Sequence, residues 1–435
     1  MDALRRSWVV IGLWIASSLL AVLFPTEIVN GRDLFLNLSY LFGSLLIISY
    51  LWARFSLLGL RVTRELDSPR AQVGRYAEET ITVENYSILP KLYLEVRDYS
   101  DLPFHRASRV LSWLPGHSRH SWTVRTPCYQ RGRFHLGPLT LCSSDPFGLF
   151  FFRRDIQLRR VLTVYPPAVA LPGFSPEVAE RSGNVQYSWH TYEITSNVAG
   201  VREYAPGDSF NRIHWPSSAR VGRLIVKEFE RNALADVWLF LDMEQQVHVA
   251  RQEYIELEVT LPATLHVLLE RPETMPFTLA TQEYAVTAAA SLARYFLERN
   301  WPLGLVTYAR DQRRTLIQLD HGPRQLDHLL ALLAVVQPLG SVPLARMLEA
   351  ESIYLTRNAL AIIITPSVHD LSWVAAVQQL HWRGVRVMAI IIDPASFVPE
   401  SASSGAAEMM RATLLESNVL CFTLRLGDRL PDVLS

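Results

Sequence analysis

The chain has 435 residues, 49% hydrophobic and 19% charged, enough for membrane-length apolar segments plus two or three folded units. Its 42 basic and 42 acidic residues cancel, which argues against nucleic-acid binding driven by bulk electrostatics. Cys128, Cys142 and Cys421 lack C-x-x-C spacing, so a disulfide framework or zinc site is not expected and a reducing compartment is.

Residues 8–24 and 34–52 carry no charge. At ~1.5 Å per residue each reaches across a hydrocarbon core, the first only just. Arg5 and Arg6 precede the first span, and Arg54, Arg61 and Arg64 follow the second, while the link 25–33 sets Glu27 and Asp33 against Arg32. The positive-inside rule then predicts a transmembrane helical hairpin in the inner or plasma membrane, with both termini and the soluble domains cytoplasmic. A cleaved signal peptide is disfavoured by the missing small-residue cleavage pattern and the immediate second span. Asn37, Ser39, Ser44 and Ser49 are expected to hydrogen-bond to the first helix or to their own backbone.

From 60 to 166 the hydrophobic period becomes two. Ile81 and Val83 alternate with Thr80, Thr82 and Glu84, and Leu92, Leu94 and Val96 alternate with Tyr93, Glu95 and Arg97. Turn signals at Leu114-Pro115-Gly116, Gly137-Pro138 and Asp145-Pro146-Phe147-Gly148 separate short strands, which predicts an antiparallel β-sandwich with an immunoglobulin-like arrangement as one candidate. His117, His120 and His135 suggest a metal site, but no fourth ligand follows from the spacing and surface histidines are the simpler reading. Residues 167–196 form a connector, rich in Pro, Gly and Ser over 171–190 and expected to be mobile.

The densest signal comes next. Arg202, Glu203, Tyr204, Pro206, Gly207 and Asp208 are followed by Arg212, Ile213, His214, Trp215, Ala219 and Arg220. Pro presets φ, Gly permits a positive φ, and Asp can cap the residues after it. Mixed charges threaded with apolar residues suit Arg–carboxylate pairs over an aromatic floor, with Trp215 filling a joint between domains. No glycine-rich loop with a following lysine is present, and Lys91 and Lys227 are the only lysines.

This segment resembles the signature of domain-of-unknown-function family fifty-eight (DUF58), specifically over 201–229 and more loosely elsewhere. The resemblance implies a bacterial membrane protein with a von Willebrand A-like domain, often associated with MoxR-type AAA ATPases. Ala205, Asn211 and Pro216 stand where the family is usually basic, which weakens an anion-binding reading.

Past 229, strands alternate with helices. Val237-Trp238-Leu239-Phe240-Leu241 reads as a parallel strand covered on both faces and ends at Asp242. A helix over 284–297, a strand over 303–308, a helix over 325–336 and a strand over 359–365 come after it. A helix over 373–383 capped by Gly384 and strands over 385–392 and 419–424 complete a doubly wound sheet. The resemblance makes 197–435 the signature segment plus a von Willebrand A-like α/β domain. Such domains hold a divalent cation after the first strand through Asp-x-Ser-x-Ser, where this chain offers Asp242, Glu244 and Gln246. Oxygen ligands permit Mg²⁺, but the longer side chains shift the ion outward, so a degenerate site without metal or other cofactor is expected. Residues 247–281 lengthen the next connection. Glu253, Glu256 and Glu258 near His248 read as an exposed acidic face.

Three functions remain open. The first is a non-enzymatic, membrane-anchored adaptor that docks a MoxR-type AAA ATPase or its client, with the signature residues structural. The second is metal-dependent ligand binding through Asp242. The third is a hydrolase using Asp208, His214 and Glu203 with Ser209 or Ser217 as nucleophile, although neither serine sits in a nucleophile elbow.

Overall fold

Uncharged apolar runs without proline give two long N-terminal helices, α1 (Asp2–Leu23) and α2 (Val29–Ser56). The computed structural model describes residues 2–23, 29–174, 198–205, 213–229, 236–256, 274–398 and 405–434, divided between the units 1–165 and 166–435. The two helices pack along each other. Ser18 Oγ and Ser39 Oγ are 2.6 Å apart, and Ser44 Oγ donates to the Leu41 carbonyl, as predicted for this span. Ser49 Oγ is buried and makes neither kind of bond. Among the described residues one segment, Asp33–Ser56, with 24 residues and a mean hydropathy of 1.8, is long and apolar enough to cross a membrane. The apolar part of α1, Ser7–Leu23, is shorter.

Ten strands complete the first unit: β1 (Leu60–Leu66), β2 (Arg70–Gln72), β3 (Tyr76–Asn85), β4 (Lys91–Asp98), β5 (Arg109–Leu114), β6 (Ser118–Pro127), β7 (Gly132–Leu136), β8 (Leu139–Ser144), β9 (Phe151–Ile156) and β10 (Arg160–Tyr165). They form sheets β1-β3-β6, β5-β4-β8-β9 and β2-β10-β7. The first two enclose a core that includes Val62, Ile81, Val83, Leu94, Val96 and Leu141. Period-two burial along β3 selects that face, and the same alternation carries Arg64 of β1 and Glu79 of β3 inward. The sandwich is not wholly antiparallel, because β2 and β10 pair in parallel. A parallel pair needs a long crossover, which the strands between them supply.

In the second unit the chain runs through β11 (Val198–Glu203), α3 (Trp215–Val221), β12 (Ile225–Phe229), β13 (Val237–Leu241), β14 (Ala250–Glu256), β15 (Thr274–Ala280), α4 (Thr281–Glu298), β16 (Leu303–Asp311) and β17 (Arg313–Asp320). It continues through α5 (Pro323–Val335), β18 (Leu339–Gly340), α6 (Leu344–Glu351), β19 (Leu360–Thr365), α7 (Ser372–Trp382), β20 (Arg386–Ile392), α8 (Ala406–Glu416), β21 (Leu420–Leu424) and α9 (Leu430–Val433). The main sheet has the order β17-β16-β13-β19-β20-β21, with β18 beside β16. The strands β13 and β19 are buried along their whole length, as continuous Val, Ile and Leu runs require. Residues of α6, α7 and α8 cluster with Trp238, Phe240 and Ile363. Helix α4 lies against β13, β16, β19 and β20 and adds nothing to that cluster, so helices cover both faces.

Two expectations change here. The sheet is mixed, because β17 runs antiparallel to β16 at its edge. No continuous apolar run announces β17, whose residues are exposed or half-buried. The part of the connector that is described is packed rather than mobile: Leu171 and Phe174 are buried, Ser291 Oγ accepts from the Val169 N–H at 2.9 Å, and the Phe174 ring meets Tyr295 edge-on at 4.8 Å. Residues 175–197 lie outside the described residues. The lengthened connection forms an antiparallel ribbon of β14 and β15, and 257–273, with Glu258, lies outside the described residues.

Candidate functional site

In an open α/β sheet the crevice lies at the carboxyl ends of the strands, where the strand order reverses. Here the reversal falls between β13 and β19. The residues that end them are Asp242 and Thr365. Asp242 is 2% exposed; its Oδ2 accepts from the Thr365 hydroxyl at 2.6 Å and its Oδ1 from the Glu244 N–H at 3.0 Å. Thr365 Oγ1 in turn accepts from the Ser367 N–H at 2.9 Å. Burial pushes the Asp242 carboxyl up to about 6, against the pull of the Thr365 and Glu244 hydrogen bonds and with a small push from the Asp370 charge. Burial also raises Glu244, helped by the charges of Asp242 and Asp370.

The loop after β13 is fastened from two further directions. His248 Nε2 lies 2.9 Å from the Asp242 carbonyl, which can only accept, so that nitrogen carries the proton. His248 Nδ1 lies 3.0 Å from Thr281 Oγ1 at the start of α4. From the other side Gly340 donates to the Met243 carbonyl at 3.0 Å and accepts from the Gln245 N–H at 2.9 Å. A Cβ added at Gly340 would stand 2.0 Å from the Tyr308 carbonyl oxygen and 2.8 Å from that of Met243. Gly340→Ala is therefore expected to cost ~1–3 kcal/mol, as forced overpacking does. A melting temperature equal to the parent's would show that the loop yields freely.

Asp242 and Glu244 approach the same crevice, but Gln246 is exposed. Both Asp242 carboxyl oxygens are engaged within the protein. Among the described residues no group of three or more His, Cys, Asp or Glu side chains is placed to hold a metal ion. The donor set present thus fits a latch between β13 and β19 better than a cation site.

The signature residues sit elsewhere in this unit. β11 and β12 form an antiparallel pair, Glu203 opposite Ile225, with α3 between them in sequence. Ile213 is buried and bridges to Val226, and the Ile225 carbonyl accepts from the His214 N–H at 2.8 Å. Ser218 fastens α3: its Oγ accepts from the Ile225 N–H at 2.9 Å and donates to the His214 carbonyl at 3.0 Å. Gly222, at φ 74°, closes the helix in the left-handed conformation that glycine tolerates. Glu203 pairs with Arg223, both exposed. Tyr204 is half-buried and its N–H donates to the Leu224 carbonyl at 3.0 Å, while Ala219 and Arg220 are exposed. Pro206, Gly207, Asp208, Arg212 and the side chain of Arg202 lie outside the described residues.

Trp215 is not packed within its own unit: it is 63% exposed. The contact of α3 with the hairpin is made by the small Ser218 and by Ile213 just before the helix, which leaves the indole at its first position standing in solvent. Val221 and Leu224 are exposed as well. Of the catalytic grouping, Asp208 and Ser209 lie outside the described residues. His214 Nδ1 meets Ser217 Oγ at 2.7 Å, a neighbour three residues on in the first helical turn, and Glu203 pairs with Arg223. Sequence reasoning missed Thr365 as the partner of Asp242, and Ser367 behind it, and missed Gly340 entirely. The one signal for the last is a glycine just after Pro338.

Apolar N-terminal helices, a β-sandwich unit and a mixed α/β sheet preceded by a signature hairpin define a multidomain α/β protein. Its signature is similar to a known family over one segment: residues 200–274 match the family model described as "Protein of unknown function DUF58", so the resemblance holds there. The "Uncharacterized protein YeaD" of Bacillus subtilis (strain 168) is 24% identical over 361 residues, 80% of each chain. Among solved structures, the CARDB domain of the PF1109 protein from Pyrococcus furiosus is 15% identical, covering 25% of this chain and 90% of that one at a TM-score of 0.18. The ASH/PapD-like domain of human CEP192 is 11% identical, covering 24% and 83% at a TM-score of 0.16. Overlaps this low do not assign the fold.

Proposed function

We propose that the chain is a membrane-anchored, non-enzymatic adaptor that docks a MoxR-type AAA ATPase, or that ATPase's client, on the cytoplasmic side of the inner or plasma membrane. In this reading both N-terminal helices cross the bilayer as a hairpin and the α/β unit is a von Willebrand A-like domain with a degenerate metal site. The observation that carries it is the exposure of Trp215 at the start of α3, with Arg220, Val221 and Leu224 exposed further along the same signature segment. Tryptophan and arginine are among the residues on which protein interfaces concentrate their binding energy. Consistent with the domain assignment, the strands taken in chain order, with the short β18 set aside, lie in the doubly wound order 3-2-1-4-5-6. The latch at Asp242 supports docking without a cation.

The test separates fold from binding. Trp215→Ala should change stability by no more than ~0.5 kcal/mol, as for exposed sites. It should weaken capture of the ATPase from native membranes by at least ~2 kcal/mol, roughly thirtyfold, as loss of an interface anchor does. Undiminished capture by a folded Trp215→Ala protein would remove the signature from the interface. Absence of any AAA ATPase in the parent's captures would remove the partner.

A further inference from the structure

One end of the sandwich differs in kind from the other. The loops 57–59, 86–90, 115–117 and 145–150 all lie at the end where α2 joins β1, as the registers Leu60↔Asn85, Asn85↔Ser118, Lys91↔Leu114 and Ser144↔Phe151 require. Asn85 Nδ2 gathers two of these loops, donating to the Leu89 carbonyl at 3.0 Å and the Pro115 carbonyl at 2.9 Å. At the loop tips Leu58, Tyr86, Leu89 and Phe147 are exposed, and Ile88 is 83% exposed. The charged residues within or bordering these loops are Asp145 and Lys91, and both are buried. Asp145 accepts from the Phe147 N–H at 2.9 Å and the Phe150 N–H at 2.7 Å. Lys91 Nζ donates to the Phe55 carbonyl at 2.8 Å, placing a cation at the C-terminal end of α2 where the helix dipole favours it. The opposite end presents Asp67, Arg75, Asp101, Arg106 and Arg159 to solvent.

Isolated exposed apolar side chains need no explanation, but several on separate loops at one end, with the charges of the loops themselves withdrawn, do. What covers them is indicated by α2. Tyr50 of that helix stacks edge-on against Phe150 and Phe152, with centroids at 5.6 and 5.8 Å, so the helix is fastened to this end without a flexible linker. Arg54, Arg61 and Arg119 are exposed at this end of the unit, Arg61 and Arg119 on either side of Glu84 across the sheet, where anionic headgroups would meet them.

We propose that this end of the sandwich is immersed in the headgroup region of the bilayer, with Ile88 and Phe147 reaching the acyl boundary and the neighbouring arginines on anionic lipid phosphates. The β unit is then a collar seated on the membrane rather than a spacer held away from it. The inference rests on the reading that α2 crosses the membrane.

The experiment uses the full chain with its three cysteines replaced by alanine, carrying Ile88→Cys, Phe147→Cys, Ile48→Cys or Ser68→Cys singly. Each protein is labelled with an environment-sensitive fluorophore and reconstituted into phosphatidylcholine vesicles containing phosphatidylglycerol. Labels at 88 and 147 should emit blue-shifted, resist aqueous iodide and be quenched by lipids brominated near the headgroup. The label at 48 should be quenched by bromines deep in the chains, and the label at 68, at the far end, by iodide alone. Iodide quenching at 88 and 147 with 48 still buried in lipid would overturn the collar and leave the span standing, pointing instead to a protein that covers these loops. Iodide quenching at 48 would overturn both.

Discussion

Arg64→Met is expected to destabilise the sandwich by about 3–5 kcal/mol, the largest loss foreseen for any single side chain here. Arg64 Nη2 lies 2.6 Å from Asp98 Oδ1 and 3.2 Å from Glu79 Oε1, and its Nε stands 3.1 Å from Glu79 Oε2, an ion-pair distance without hydrogen-bond alignment. His105 Nε2 approaches Glu79 Oε1 at 3.1 Å and Asp98 Oδ2 at 3.4 Å, while its Nδ1 meets Thr126 Oγ1 at 2.8 Å. The side chains of Arg64, Glu79, Asp98 and His105 are at most 3% exposed. Taking away the guanidinium leaves two buried carboxylates with the His105 imidazole and the Ser100 N–H to answer them, and an uncompensated buried charge costs far more than an intact network contributes. The unit-specific readout is amide exchange. Amides of β1, β3 and β4 that open only with the unit should exchange at least a hundredfold faster, since ~1.4 kcal/mol is a factor of ten, while those of β13 and β19 keep the parent's rate. The triple change Arg64→Met, Glu79→Gln, Asp98→Asn should be less damaging than Arg64→Met alone, because no full charge is stranded among the three sites. Parent-like exchange in Arg64→Met, or a triple variant worse than the single, would show that the network is not what holds these strands.

That network marks how far a linear reading goes. Arg64 stands in the sequence as one of the basic residues flanking a membrane span, yet period two along β1 turns it into the sandwich. Local patterns were legible because their causes are local. The uninterrupted apolar run of β13 can only be a strand covered twice, and Gly384, at φ 82°, ends α7 at the predicted place. Contacts across the fold left no such trace. Thr365 and Asp242 are 123 residues apart and meet because β13 and β19 are neighbours in the sheet, an adjacency that strand patterns alone do not fix. Trp215 failed for a different reason. Hydrophobicity says what a residue gains by burial, not that a seven-residue helix offers a place to bury it. The edge strand β17 was missed because an edge needs neither a continuous apolar run nor a strict alternation.

Asp242→Asn should stabilise the α/β unit above neutral pH, the reverse of the usual effect of removing a buried hydrogen-bonded group. Burial raises the carboxyl from its ordinary 3.8 to about 6, so the folded protein binds this proton more tightly than the unfolded chain does. The stabilisation that goes with the proton is fully present below ~3.8 and is lost as pH rises through about 6. Above that, the ionised group opposes folding by roughly 3 kcal/mol relative to acid. Asparagine removes the charge but replaces the acceptor facing the Thr365 hydroxyl with a donor or a turned amide, at a cost of ~1 kcal/mol. The net gain is about 2 kcal/mol at pH 8, shrinking to nothing and changing sign towards pH 4. Scanning calorimetry of the full chain across that range reads the difference, to which the release of Glu244 from the Asp242 charge adds in the same direction. A difference that stays constant with pH, or an asparagine variant less stable at pH 8, would mean that the carboxylate is held by something that welcomes its charge. Excess Mg²⁺ then identifies that agent. An ion on Asp242 would raise the parent's transition and not the variant's, whereas a latch between two strand ends leaves both where they were.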